Sequence, residues 1–461
     1  MAGCAPIDIP ALGPSGEFRA ANRLSVTDVS GAGIAEVSLV PPVYVHRAMA
    51  ALHRAETLPE AADRAAILAE AAQLFEHATI GGLSPADYQH AVSRAGGVPI
   101  SSVREANRSV AQRVANANDS AHQGRPRGAS ATWRHPSTRA GGAVWVRRGS
   151  VFAVHAAGNH PGTHAIWPEA LALGYRVAVR PSSRDPFTPY RLITALRTAG
   201  FPADHVVLLP TDRGGADAVL RGADLGMVYG GADVVAKYRG SQVLPQGPGR
   251  SKILITADID WRRHLDVIVE SVSDHGGTGC VNTSAVLVEG DPGPLAEAIA
   301  ERLAAMPSLP PEDSKASLPV QQVPAARAIE RYLLKTAAGA RAWLGGDGIV
   351  DELGDGSAAL RPAVHEVNDS SAPQIGVELP FPCVWVAPWT RAAGVAAVRD
   401  TLVLTVLTRD GELVGRLMDE PTIRNVYLGD RHTHWMASGV PHDGFLSDFL
   451  MWSKGVAVST M

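Results

Sequence analysis

Between Val151 and Gly240 the chain repeats one rhythm, a short apolar run followed by a longer helical stretch, and few architectures tolerate it. VFAVHA (Val151 to Ala156) reads as a buried strand, and HAIWPEALALG as a helix ending at Gly174. RVAVRP, HVVLLP and GMVYGG read as further strands, with PYRLITALRTAG, ADAVLRGA and DVVAKYRG as the helices that follow them. Strands that run in the same direction need a crossover, and a helix is the usual one. The segment therefore predicts an α/β fold built on a doubly wound parallel sheet. Ligands of such sheets bind beyond the carboxyl ends of the strands, so the loops after Ala156, Arg180 and Tyr229 are the first places to look.

A second α/β block follows. KILITADID (Lys252 to Asp260) and SAVLVEG read as strands, RRHLDVIVESVSDH and GPLAEAIAERLAAM as helices, and AARAIERYLLKTA as a later helix. The Pro- and Ser-rich PSLPPEDSKASLPVQQVP reads as a long surface loop. AVHEV and FPCVWVAPW add strands, and FLSDFLMWSKGVAVSTM reads as a short helix and a terminal strand. Upstream, the Gly-, Pro- and Ser-rich stretch to about Val40 reads as an irregular arm. Val43 to Ala115 reads as helical, with Ala65, Leu68, Ala72 and Phe75 on one face. The polar run Asn116 to Gly128 reads as a break, and AVWVRR after a Gly-Gly turn as a strand.

With 461 residues the chain exceeds one ordinary core, and its 46% hydrophobic residues suffice for two or three domains. A net charge of -4 gives no reason to expect a nucleic-acid or membrane-surface partner. The N-terminus has no basic segment followed by an apolar one, and no apolar run approaches the ~18 residues of a membrane span. Three cysteines, Cys4, Cys280 and Cys383, make no disulfide framework and no paired zinc motif, so a reducing cytoplasmic setting is expected.

Cys280 lies in His-Gly-Gly-Thr-Gly-Cys-Val-Asn-Thr-Ser, between a helix and an apolar strand. Glycines beside a cysteine let other backbone come close and leave the thiol accessible, which suits a nucleophile; a buried structural thiol is the other reading. Asn159, in HAAGNHPGTH, follows a strand end, where its amide would stabilise a developing oxyanion or simply shape a turn.

Five segments, in order, resemble the aldehyde dehydrogenase superfamily. VFAVHAAGNHPGTHAIWPEALALGYRVAVRPSSRDPFTP resembles its strand, Asn-x-Pro turn, helix and Lys-Pro-Ser cofactor segment. VYGGADVVAKYRG is similar to its Gly-Ser turn and helix, and GPGRSKILITADID to the strand leading into the catalytic domain. GGTGCVNTSAVLVEG resembles the cysteine segment and VELPFPCVWV the Glu-x-Phe-Gly-Pro segment.

The resemblance implies a Rossmann-like cofactor domain, an α/β catalytic domain and small oligomerisation strands. It places an N-terminal arm and helices at 1–127, an oligomerisation strand at 128–148 and the cofactor domain at 149–250. The catalytic domain follows at 251–440, and a C-terminal helix and oligomerisation strand at 441–461. Cys280 matches the nucleophile that forms a thiohemiacetal and then, after hydride transfer to the nicotinamide, an acyl thioester; Asn159 matches the oxyanion amide. Arg180 stands where a lysine usually binds the adenosine ribose. Ser182 and Ser183 belong to the same cofactor segment, and Ser183 lies near a position that is often acidic when NAD is preferred. The Arg-Pro-Ser-Ser-Arg run leaves room for a 2′-phosphate, so NAD or NADP is expected. Gly230 and Gly231 match the turn beside the pyrophosphate, and Glu378 the carboxylate that holds the nicotinamide ribose. The implied partners are an aldehyde or acyl thioester, CoA or an acyl carrier protein, and further copies of the chain in a homodimer or homotetramer. The strand near Ala143 to Arg148 and the tail KGVAVSTM are the expected pairing elements.

One departure sharpens the expected chemistry. Hydrolytic relatives carry a glutamate as base for water; here Gln246 stands at that position, and Leu244 to Lys252 holds no glutamate in any register. An amide takes no proton from water, so the segment is closer to CoA-acylating members and acyl-thioester reductases. Hydrolytic oxidation and a non-catalytic member retaining the fold are the alternatives. The histidines His155, His160, His164, His432 and His434 read as loop residues, with no metal site expected. His275 reads either as a neighbour lowering the Cys280 pKa or as a helix-end residue. Cys383 reads as packing and Cys4 as incidental. Trp435, Phe445 and Trp452 read as packing rather than as the wall of an apolar tunnel.

Overall fold

The computed structural model describes residues 6–56, 59–437 and 439–457, so Cys4 and the last four residues of the KGVAVSTM tail lie outside it. The predicted rhythm forms the first of two seven-stranded sheets, in the order Val243–Gln246, Leu225–Tyr229, Val151–His155, Arg176–Arg180, Val206–Leu208, Ala11–Gly13, Gly16–Phe18. The first five strands are parallel. Val151 to Val154 are buried in succession and only His155, at the strand's end, is half-buried, as expected of a strand covered on both faces. The chain leaves this strand toward Arg176–Arg180 on one side and later returns to its other side as Leu225–Tyr229, which makes the gap between them a topological switch point.

The second sheet runs Arg341–Leu344, Ala363–Glu366, Cys383–Trp389, Thr283–Glu289, Ser251–Ile255, Thr401–Leu407, Ile423–Leu428, and all but the first are parallel. Both large sheets have helices packed on them, and their cores are built from such residues as Phe152, Trp167 and Val177 in one and Leu254, Trp385 and Leu404 in the other. Cys383, 5% exposed, is one of these packing residues. Gly142–Arg147 pairs antiparallel with Met451–Val456 in a separate three-stranded sheet. Among the described residues no helix is long and apolar enough to cross a membrane.

Four readings of the sequence need correction. The N-terminal stretch is not an irregular arm: Ile7–Ile9, Ala11–Gly13, Gly16–Phe18, Arg23–Thr27 and Gly33–Ser38 are strands. The first three have only three residues each, and their partners fix them; Leu12, for example, pairs with Leu208. The break at Asn116 to Gly128 contains the helix Ala117–Gln123, whose Ala117 and Ala121 are buried in the core at helical spacing. The Pro/Ser-rich segment is only partly a surface loop, because Ala316, Leu318 and Val320 are buried and Val320–Gln322 pairs with Ser357–Leu360. Finally, Trp452 does not pack in the core but is 55% exposed on the three-stranded sheet.

Candidate active site

The carboxyl edge of the first sheet faces the amino edge of the second, and a cleft of about 1530 Å³ lies between them. Gly158, Asn159, Tyr229, Gly230 and Gly231 enter it just after strands of the first sheet. Gly249, Arg250, Cys280, Glu378 and Asp400 enter it just before strands of the second. Residues after strands therefore meet residues before strands. The chain crosses between the sheets once here, through Gly247-Pro-Gly-Arg250, and that crossing passes directly against Cys280.

The close approach explains why the crossing contains Gly249. A Cβ at this position would lie 1.7 Å from the Cys280 carbonyl oxygen, which no side chain can tolerate. The same carbonyl accepts from Ser251 Oγ at 3.0 Å. Arg250 follows in the left-handed region, at φ 48°, which aims its N–H at Glu378 Oε2, 2.7 Å away. Lys252, 2% exposed, ties the turn down by donating to the Arg250 and Arg399 carbonyls and to Thr401 Oγ1. We expect Gly249→Ala to lower kcat about 10²-fold, because displacing a reacting group by about 1 Å has that effect. Steady-state kinetics with dinucleotide binding measured alongside checks it; unchanged kcat would show that the tight packing does not matter.

The loop bearing Cys280 is held from below by Asn282. Its Oδ1 accepts the Gly279 N–H at 2.9 Å, and its Nδ2 donates to the carbonyls of Asp274 at 2.9 Å and Ser271 at 3.3 Å. Asn159 Nδ2 donates to the Thr278 carbonyl at 3.1 Å, which docks this amide on the loop bearing Cys280. Tyr229 donates from its hydroxyl to the Thr163 carbonyl at 3.3 Å, and burial with Cys280 nearby pushes its pKa upward. Burial, reinforced by the Glu378 and Asp443 carboxylates, pushes the Cys280 thiol up to about 12, so at rest it is protonated. Its Sγ lies 3.8 Å from His442 Nε2.

The structure brings Cys280, Asn159, Gln246, Ser182, Gly230, Gly231 and Glu378 to one cleft. Arg180 and Ser183 do not reach its wall. The Arg180 guanidinium donates to the Thr211 carbonyl at 3.2 Å, and Ser183 is exposed; Arg184 lines the cleft instead. Trp435, Phe445 and Trp452 are also absent from the wall, and Trp435 packs edge-on to Tyr427 at 5.5 Å between ring centroids. His442, Asn282 and Tyr229 were not singled out by sequence. His442 and Tyr229 meet the site through contacts made across the fold, which no local spacing marks, whereas Asn282 binds Gly279, Asp274 and Ser271 within its own segment.

The cleft fits a dinucleotide on its own geometry. A Cβ at Gly158 would meet Ser182 Oγ at 2.1 Å, and one at Gly230 would meet Val234 at 2.5 Å, so bare backbone lines this part of the wall. Burial raises the Glu378 carboxyl above the usual carboxylate range, against the lowering effect of the Arg250 and Gly249 N–H groups. Among the described residues no group of three or more His, Cys, Asp or Glu side chains is placed to hold a metal ion.

Comparison with known proteins agrees with this architecture. The fold is shared with the NAD-dependent aldehyde dehydrogenase from Sinorhizobium meliloti, at TM-score 0.81 and 18% identity over 98% of this chain and 95% of that one. It is also shared with aldehyde dehydrogenase 21 from Physcomitrella patens, solved with the product succinate, at TM-score 0.80 and 16% identity over 98% of both chains. An aldehyde-dehydrogenase-like protein of Sinorhizobium fredii is 23% identical over 134 residues, which is 28% of this chain and only 26% of that curated relative. The profile of the aldehyde dehydrogenase family matches residues 22–445, and the chain belongs to that family.

Proposed function

We propose that the protein is an NAD(P)-dependent oxidoreductase that interconverts an aldehyde and an acyl thioester through a covalent acyl group on Cys280. The observation that carries this reading is that Gln246, an amide which the resemblance sets at the place of the hydrolytic members' carboxylate base, lines the same cleft as Cys280 and opens the crossing whose Gly249 packs against it. The Cys280 thiol adds to the carbonyl carbon, and Asn159 with the Cys280 N–H is suited to hold the resulting oxyanion. The bound dinucleotide supplies the hydride acceptor in one direction and the donor in the other. Glu378, held by the Arg250 N–H, is suited to the nicotinamide ribose; Gly230 and Gly231 are suited to the pyrophosphate, and Ser182 to the adenosine end. That one related structure is of an NAD-dependent enzyme supports NAD, and Arg184 in the cleft keeps NADP open.

With Gln246 unable to take a proton, a thiol is the expected acyl acceptor, on CoA or a carrier protein. One observation favours a second reading, hydrolysis to the free acid: His442 lies close enough to Sγ to serve water as well. An assay from aldehyde and NAD(P), with and without CoA, and from acyl-CoA with NAD(P)H, separates the two. Thiol-dependent turnover is expected in both directions. Equal turnover to free acid without any thiol would overturn the acylating reading. The exposed three-stranded sheet, bearing Trp452, supports pairing with a second copy in a homodimer or homotetramer.

A further inference from the structure

The Cys280 thiol has no carboxylate within the crossing to take its proton, yet it must lose that proton to attack a carbonyl. Among the described residues the cleft supplies one nitrogen in contact with it. His442 Nε2 stands 3.8 Å from Sγ, within the range of a bond to sulfur, and the two residues are 162 positions apart in the chain. The contact is built by the fold. His442 lies in the loop Pro441-His-Asp-Gly444, whose backbone is clamped by Asn425: its Nδ2 donates both to the His442 carbonyl and to the Leu402 carbonyl, the latter at 3.0 Å. Asp443, next in the loop, pairs with Arg424 at 3.0 Å. Asn425 and Arg424 both belong to the edge strand Ile423–Leu428, so that strand fixes the imidazole against the nucleophile.

We propose that His442 is a catalytic residue, the proton acceptor for the Cys280 thiol when Sγ attacks the carbonyl carbon, and the donor that returns the proton when the acyl group leaves. In the forward step the S–H bond breaks and an S–C bond forms. The proton moves to Nε2, and the carbonyl π electrons move to oxygen as the oxyanion held at Asn159. No oxidant is needed for this step. The role rests on Cys280 being the nucleophile and is indifferent to whether water or a thiol later releases the acyl group.

The surroundings keep the imidazole in its accepting form. Burial, with the Arg113 guanidinium from the helix Ile100–Ala115 adding to it, holds the His442 pKa down at about 4, which leaves Nε2 unprotonated at neutral pH and also makes it a weaker base than free imidazole. The other charged or titratable groups around it are Cys280 itself, Asp443 and Arg424 from the loop and its strand, and Glu378 beyond the thiol. A neutral ring facing a neutral thiol is a general-base pair rather than a preformed ion pair.

The test uses alkylation of Cys280 by iodoacetamide in the full-length protein, read with and without cofactor. In the parent protein the rate should be nearly level between about pH 6 and pH 8, because His442 accepts the proton throughout. In His442→Gln it should be at least about 10-fold slower near neutrality and climb steeply with pH, since hydroxide must then remove the proton. His442→Ala should lose about 10²-fold in kcat/KM and recover part of it with added imidazole, which a purely structural histidine would not allow. Alkylation in His442→Gln at the parent rate and pH profile, or a His442→Ala loss that imidazole leaves untouched, would overturn the proposal. Turnover surviving in Cys280→Ala would instead overturn the nucleophile reading on which it rests.

Discussion

Cys280→Ala is expected to lower aldehyde oxidation by about 10⁴-fold or more, with dinucleotide binding intact. The size of the loss follows from where the thiol sits. Everything around it serves the position of one sulfur atom: Gly249 admits the crossing backbone at van der Waals limit, Ser251 holds the carbonyl, and Asn282 fixes the loop. Without the sulfur the proposed covalent adduct cannot form, and the remaining donors have no intermediate to act on. The substitution removes one small, half-buried side chain, so stability should change by less than about 1 kcal/mol. Cofactor binding measured by fluorescence separates a catalytic loss from a folding loss. Near-parental turnover in the alanine variant would mean that the chemistry runs without a covalent intermediate.

Gln246→Glu should act in the opposite sense, as a gain. Gln246 ends the strand Val243–Gln246, its carbonyl accepts the Gly230 N–H at 3.1 Å, and it lines the cleft with Cys280. A carboxylate at this position would add a base where the parent has an amide, at nearly equal side-chain volume. A positioned base contributes about 10²-fold or more, so release of free acid without thiol should rise by about that factor. Thiol-dependent transfer should lose its advantage at the same time. Quantifying free acid against acyl-CoA from one aldehyde checks both. If the glutamate variant hydrolyses no faster than the parent, Gln246 is not what limits the use of water.

Much of this site is legible in the chain because its parts sit at the ends of strongly patterned elements. The strands Val151–His155, Leu225–Tyr229 and Thr283–Glu289 declare themselves by apolar content alone. The residues beside them, Asn159, Gly230 and Cys280, are then placed by the rule that parallel sheets bind at strand ends. Glu378 and Gln246 arrive by resemblance, and the fold does bring them to the same cleft. Arg180 and Ser183 show the limit of carrying positions over: the right segment is present, but Arg180 is turned to the Thr211 carbonyl and Ser183 to solvent. The N-terminal strands were illegible for a different reason. Three-residue strands such as Ala11–Gly13 have no period to detect and exist because a distant strand pairs with them. His442 is the extreme case, since nothing in Val-Pro-His-Asp-Gly marks a residue that meets Cys280 only after the second sheet has closed.

The central claim is that the acyl group passes through Cys280, and it is tested most directly by trapping that group. The protein is mixed with aldehyde and NAD(P) without any thiol, quenched in acid after a single turnover and digested for mass spectrometry. The peptide containing Cys280 is expected to gain the mass of the acyl group in step with reduced cofactor, and hydroxylamine is expected to release it. One equivalent of reduced cofactor alongside an unmodified Cys280 peptide and free acid already in solution would contradict it.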